Sequence, residues 1–335
     1  MSAFPSSQVL LAASIASAAV GFAAYRSVLS TVPSDLSPVP SSVLTGDLSR
    51  DGKMETVTLR HPSGSSVTLY KFGATLVSWK LDNGKEMLFL SKEAVFDGKR
   101  PIRGGIPLVF PQFGPGKLPN HGFARHSMWR IHRVENNVLV MTLTDTEETR
   151  KVWGNHKFRL LYTVVLGSKS LKTTLTVVNT SLNVFKFQAL LHTYYQFPNV
   201  ENVRVAGLNG HEYKDKLLSS SEPIKETGNT VQFTAETDRI YTGSPKKVVL
   251  TGIGDGVASI DIEVSTYGDG CKYGKGQNDV VVWNPYVAKS KRMGDFGDGE
   301  WKRMCCIEPG FVSRWNHLEA NGTWSLQQVL TATLE

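Results

Sequence analysis

The feature that most limits what this chain can fold into is its hydrophobic period. Apolar residues recur at every second position in short runs, near 67–69 and over 71–79, 138–143, 158–166 and 171–178. The pattern resumes at 259–264, 279–283, 304–307 and 324–334. A period of two is that of a pleated strand, and no stretch of ten or more residues keeps helical spacing. Candidates such as residues 91–96 allow a helical turn or two. Gly, Ser, Asn and Lys separate the runs, and residues 167–170 read as a hairpin connection. Sequential strands joined by short turns imply antiparallel pairing, and hence an all-β fold, a large sandwich of mainly antiparallel strands with few short helices.

The chain has 335 residues, 41% of them apolar, enough for a substantial core. No shift in composition after residue 50 and no internal repeat marks a second domain. The catalytic or binding domain is therefore placed at 47–335. Residues 9–25 are apolar or small, carry no charge and precede Arg26, which marks a targeting or anchoring segment rather than part of a fold. Pro33, Pro38, Pro40 and eight Ser or Thr in residues 27–45 then read as linker, so 1–46 is set apart. Membrane contact is expected only through this segment, and the compartment is expected to be the cytoplasm or an organelle, a plastid included. The 3 cysteines cannot close a disulfide framework, and Cys305 and Cys306 sit inside an apolar run as small buried hydrophobes, as in a reducing compartment.

Charge narrows the partners. With 37 Lys plus Arg against 30 Asp plus Glu, the formal charge is +7, without long basic runs. A nucleic-acid binder shows a denser stripe and a reading motif, and neither is present. A small anion suits the excess better. No Cys/His spacing of the usual zinc type is present either, so no metal is expected.

Residues 103–114 and 118–125 hold Arg103, Gln112, Asn120, His121 and Arg125 among so many Gly and Pro that the segment must be a shaped loop. Two guanidiniums there suit phosphate or carboxylate oxygens, or else tie down loop carbonyls. His192 ends the apolar run 187–191 as a core imidazole or a proton donor. Glu308 ends Met304-Cys305-Cys306-Ile307 before Pro309-Gly310, as a desolvated base or a rim ion pair. Asp238 caps a turn or accepts sugar hydroxyls, and Trp283-Asn284-Pro285-Tyr286 offers either core or an aromatic floor for a sugar ring.

These same words carry a family resemblance. Segments 103–114 and 118–125, His192-Thr193-Tyr194-Tyr195, residues 236–241, Val281-Val282-Trp283-Asn284-Pro285 and Cys306-Ile307-Glu308-Pro309-Gly310 stand in the order found in glucose-6-phosphate 1-epimerases. Residues 213–216 and 293–296 add to the match, which runs from about residue 51 to the C-terminus. The chain resembles this family of hexose-6-phosphate mutarotases, within the aldose 1-epimerase or galactose mutarotase-like superfamily. The resemblance implies a galactose mutarotase-like β-supersandwich, isomerase activity on a hexose 6-phosphate, no metal or organic cofactor, and a monomer. It implies His192 as catalytic acid, Glu308 as catalytic base, and Arg103, Asn120, Arg125 and Asp238 as substrate contacts, the arginines at the phosphate end. Two departures stand out: Asn120 replaces the longer Gln of close relatives, and the hydrophobic N-terminal extension is additional. The competing expectations are an aldose 1-epimerase for unphosphorylated sugars, a non-catalytic carbohydrate-binding sandwich, and a structural or regulatory protein that has kept only the fold.

Overall fold

The computed structural model describes residues 34–46, 54–220 and 222–335. Strands Ser42–Gly46, Thr56–Arg60, Ser66–Tyr70 and Leu76–Lys80 pair in chain order as a 4-stranded antiparallel sheet. The other strands join in a 16-stranded sheet whose spine is Met304–Leu334. The longest helix among the described residues, Glu147–Val152, has 6 residues. The architecture is thus an all-β sandwich, as the period of two requires.

The apolar runs become strands for the expected reason. Leu160, Tyr162 and Val164 on one face of Phe158–Leu166 are fully buried, as are Leu171, Leu175 and Val177 of its neighbour Ser170–Asn179. These two strands are joined through residues 167–169, with Leu166 paired to Leu171, so the hairpin forms as read. Along the last run Trp324, Leu326 and Leu330 are fully buried, but Ser325 and Gln327 on the other face are also buried. A strand covered on both faces must satisfy its polar groups internally. Ser325 does so with Thr176, at 2.8 Å.

Three sequence expectations need correction. Residues 304–307 and 324–334 are parts of one 31-residue strand, because Pro309 and Gly310 do not turn the chain. Val280 stands opposite Pro309, while Asp279 and Leu190 stand opposite Gly310, so ladders on both sides hold the segment extended. Glu308 is therefore mid-strand and not at a strand tip. The domain also begins before residue 47: Ser42–Gly46 pairs with Thr56–Arg60, Leu36 is fully buried among Val138, Val140, Leu161, Val165 and Val329, and Asp35 accepts bonds from the Ser168 and Lys169 amides. Pro and Ser content marked this stretch as linker, but one buried Leu and one anchored carboxylate suffice to dock it. Residues 91–96 form a turn without helix. The hydrophobic segment 9–25 lies outside the described residues, and among those described no helix is long and apolar enough to cross a membrane.

Candidate active site

Strand register builds the floor of one hollow. Asp238 stands opposite Trp283, Trp283 opposite Cys306, and Val281 opposite Glu308, so three adjacent strands present these side chains together. Because alternate residues share a face, Cys306 and Glu308 project to the same side of their strand. The wall comes from residues 103–121, and the hollow of about 280 Å³ is lined by Arg103, Asn120, His121, His192, Lys216, Asp238, Trp283 and Glu308 among others. That volume is at the small end of ligand pockets and suits one sugar ring.

His192 and Glu308 meet inside it. Nδ1 lies 3.3 Å from Glu308 Oε1, yet the two form no hydrogen bond, and Nδ1 has no partner. His192 is 7% exposed and Glu308 1%. His192 follows strand Phe185–Leu191, and its backbone amide donates to Pro107 O at 3.0 Å. Its ring stacks on Tyr194 at 4.7 Å and 10°, and meets Trp283 and His121 edge-on. The next residue, Thr193, is held by Gln328, whose Nε2 donates to Thr193 Oγ1 at 3.0 Å. Burial pushes the Glu308 carboxyl well above the usual carboxylate range, helped by Asp238, while Lys216 and Arg125 pull the other way. Burial pushes the His192 imidazolium down, and His121, Arg125 and Arg103 reinforce the shift. Both shifts favour the uncharged forms, a protonated carboxyl beside a neutral imidazole.

The two arginines differ in their company. Arg103 is pinned by Asp295, with Nη2 3.1 Å from Oδ2 and Nε donating to Oδ1 at 3.2 Å, and by Tyr194, whose hydroxyl accepts from Nη1 at 3.1 Å. Burial opposes its charge, but Tyr194 and Asp295 outweigh burial and stabilise the guanidinium. Arg125 is 8% exposed, donates from Nη2 to Asn120 O at 2.6 Å, and keeps an unpartnered buried Nε. No carboxylate among the described residues pairs with it, and burial pulls it down to about 10. Arg125 does not line the main hollow. It faces a side hollow of about 150 Å³ that shares Arg103 and Asn120 with the main one.

Glycines set this loop. Gly104 and Gly105 have φ of +122° and +66°, and a Cβ on Gly105 would lie 2.1 Å from Leu76 O. Gly105→Ala is expected to cost about 3 kcal/mol through left-handed strain and overpacking, read as a lower denaturant midpoint with an unchanged slope. His121 itself sits at φ 66°, and its Nδ1 accepts from the Gly114 amide at 3.2 Å, which leaves Nε2 as the protonated nitrogen.

The family model for aldose 1-epimerase matches residues 55–331. The chain belongs to the aldose 1-epimerase family. It is accordingly an isomerase whose substrate is a small sugar. A Cenchrus ciliaris relative is 35% identical over 292 residues, covering 83% of this chain and 85% of its own. An Escherichia coli relative is 32% identical over 268 residues, covering 78% and 84%. Both bear the name "Putative glucose-6-phosphate 1-epimerase". A solved Salmonella typhimurium structure, described as a "putative mutarotase", superposes with a TM-score of 0.73 at 28% identity, covering 84% of this chain and 91% of that one. A Lactobacillus acidophilus galactose mutarotase related enzyme shares the fold, with a TM-score of 0.64 at 18% identity over 82% and 96% of the chains.

Of the six site residues singled out in this epimerase, His192, Glu308, Arg103, Asn120 and Asp238 face the main hollow, and Arg125 faces the side hollow. Trp283 is at once core and floor. Other contributors had no role assigned from sequence. Lys216, 3.1 Å from Asp238 and above the Phe113 ring, reaches the hollow from the 213–216 stretch. Asp295 and Tyr194 fix Arg103. The only sequence signal for them was their place inside the family words, since none stands in a pattern that chemistry alone would mark.

Proposed function

We propose that this epimerase interconverts the α and β anomers of hexose 6-phosphates, with His192 and Glu308 moving the protons. The observation that carries the reading is the pair itself: two buried groups 3.3 Å apart at the wall of a sugar-sized hollow, beside a second hollow holding a buried guanidinium with no ion-pair partner among the described residues. Ring opening breaks the anomeric O–H bond and the bond from the anomeric carbon to the ring oxygen. Glu308 as carboxylate takes the first proton while His192 as imidazolium gives one to the ring oxygen. Rotation about the bond beside the anomeric carbon and reversal of both transfers close the other anomer. The active form, Glu308 carboxylate with His192 imidazolium, is a tautomer of the resting pair and needs no proton from solvent. A sugar hydroxyl donating to the carboxylate favours that tautomer, because charge-assisted hydrogen bonds are the stronger ones.

Asp238 accepts ring hydroxyls and Lys216 donates to them. Asn120 contacts the substrate from the rim shared by the two hollows, and Arg103 with Arg125 holds the phosphate. The test is anomer exchange followed by NMR on glucose, galactose, glucose 6-phosphate and mannose 6-phosphate. Preference for the phosphorylated sugars is expected. Equal efficiency on glucose and glucose 6-phosphate would return the protein to unphosphorylated aldoses, and saturable binding without exchange would leave a carbohydrate-binding sandwich.

The pH profile supplies a second check. Activity needs the shared proton, so the basic limb of kcat/KM follows its loss from Glu308, whose affinity for it is raised by burial and by Asp238 and lowered by Lys216. Asp238→Asn is expected to move that limb to lower pH and Lys216→Met to higher pH. Shifts of the same sign in both variants would contradict the assignment.

A further inference from the structure

Cys306 has no part in the proton transfers, yet its position is chemically loaded. It precedes Glu308 by two residues on the same strand face, and register sets it opposite both Tyr194 and Trp283. One donor atom each from His192, Cys306 and Glu308 falls within 4.8 Å of the other two, and all three residues are buried. An imidazole nitrogen, a sulfur and a carboxylate oxygen are a set that tetrahedral zinc accepts, with a fourth position left for water or substrate. The sequence hides this set, because His192 is 114 residues away from Cys306 and no short Cys/His spacing announces it.

A second observation points to a ligand. Nδ1 of His192 is buried without a hydrogen-bond partner although a carboxylate oxygen lies 3.3 Å away. A native buried nitrogen is normally paired, so an orphan beside a carboxylate oxygen, within a cluster that also holds a sulfur, marks a place where something else can bond. Donors around a tetrahedral zinc stand roughly 3.5 Å apart, so the set must draw in by up to about 1.3 Å. The way in is the main hollow, which His192 and Glu308 both line.

We propose that His192, Cys306 and Glu308 form a site for a thiophilic divalent cation, Zn²⁺ or Cd²⁺, which occupies the proton-transfer pair and so switches the enzyme off. The cation is an inhibitor and not a resident cofactor. On binding, the Cys306 S–H bond breaks, sulfur keeps the electron pair and bonds to the metal, and the proton leaves to solvent. Glu308 binds as carboxylate, releasing its proton where it holds one. His192 donates the Nδ1 lone pair and keeps its proton on Nε2. Sugar and cation compete for the same two side chains, so saturating substrate protects.

Two measurements on the full chain test the site. In the first, Cd²⁺ is titrated into wild type and into Cys306→Ser, Cys305→Ser and Cys271→Ser, and the thiolate-to-metal charge-transfer absorption is followed. The band is expected in wild type, Cys305→Ser and Cys271→Ser, absent in Cys306→Ser, and shifted to higher Cd²⁺ concentration in His192→Ala. A missing band in wild type, or one that survives Cys306→Ser, overturns the site. If Cys306→Ser fails to fold by circular dichroism, the His192→Ala titration decides, since unchanged affinity there overturns the site equally. In the second, Zn²⁺ inhibition of anomer exchange is compared in wild type and Cys306→Ser. Losing a direct ligand should raise the half-inhibitory concentration by at least the ~10- to 100-fold that loss of an outer-shell partner costs. This arm rests on the function proposed above, whereas the absorption arm does not. A band without inhibition therefore unseats His192 and Glu308 as the proton carriers, and an absent band unseats the metal site alone.

Discussion

Glu308→Gln and His192→Ala are each expected to slow anomer exchange by about 100- to 10,000-fold, the range for removing a positioned general acid or base. Glu308→Gln keeps the shape and removes the proton acceptor, and a neutral amide suits a site 1% exposed where burial already favours the uncharged form, so the fold should survive. KM should change little, because the proposed sugar contacts at Asp238, Lys216, Asn120 and the arginines remain. The double variant should fall scarcely below the worse single one, since a pair passing one proton works only as a unit. Exchange NMR across a range of substrate concentrations separates the two parameters. Turnover near wild type in either variant would mean that the protons travel by another route.

Arg125→Met is expected to change two properties in opposite directions. On glucose 6-phosphate, kcat/KM should fall by about 30- to 5,000-fold, corresponding to the roughly 2 to 5 kcal/mol lost with one side of a buried charge pair. On glucose it should hardly move, since Arg125 lies outside the hollow that takes the ring. Stability of the ligand-free protein should rise. Burial lowers Arg125 from the ordinary arginine range to about 10, so the unfolded chain holds that proton more tightly than the folded one. The charge thus weighs against the fold at every pH below about 10, and its cost fades only as pH rises from there towards the ordinary arginine range. A buried cation kept at such a cost fits a site awaiting an anion. Arg103 makes the contrast, because Asp295 already compensates it and its loss should destabilise. Calorimetry of both variants, with and without inorganic phosphate, reads the difference. A lower melting temperature for Arg125→Met together with unchanged preference for phosphorylated sugar would remove the side hollow from the function.

The period of two, from 158–166 to 324–334, determined by itself that the chain is an all-β sandwich, because alternation depends only on backbone geometry. The family words determined which residues to watch, and His192, Glu308, Arg103, Asn120 and Asp238 do converge on one hollow. Tertiary structure decided what depends on neighbours distant in sequence. Pro309-Gly310 is a turn signal read locally, yet it runs straight where strands pair on either side. Leu36 is one apolar residue in a linker-like stretch, and only the apolar patch of Val138, Leu161 and Val165 makes it an anchor. Two arginines 22 positions apart look alike as letters, but Asp295 forms an ion pair with Arg103 and acts on Arg125 only from a distance, so burial still dominates at Arg125. Cys306 reads as a small hydrophobe until His192 is brought beside it. Periodicity is written residue by residue along the chain, whereas compensation of charge and convergence of donors are properties of space, which only the folded molecule supplies.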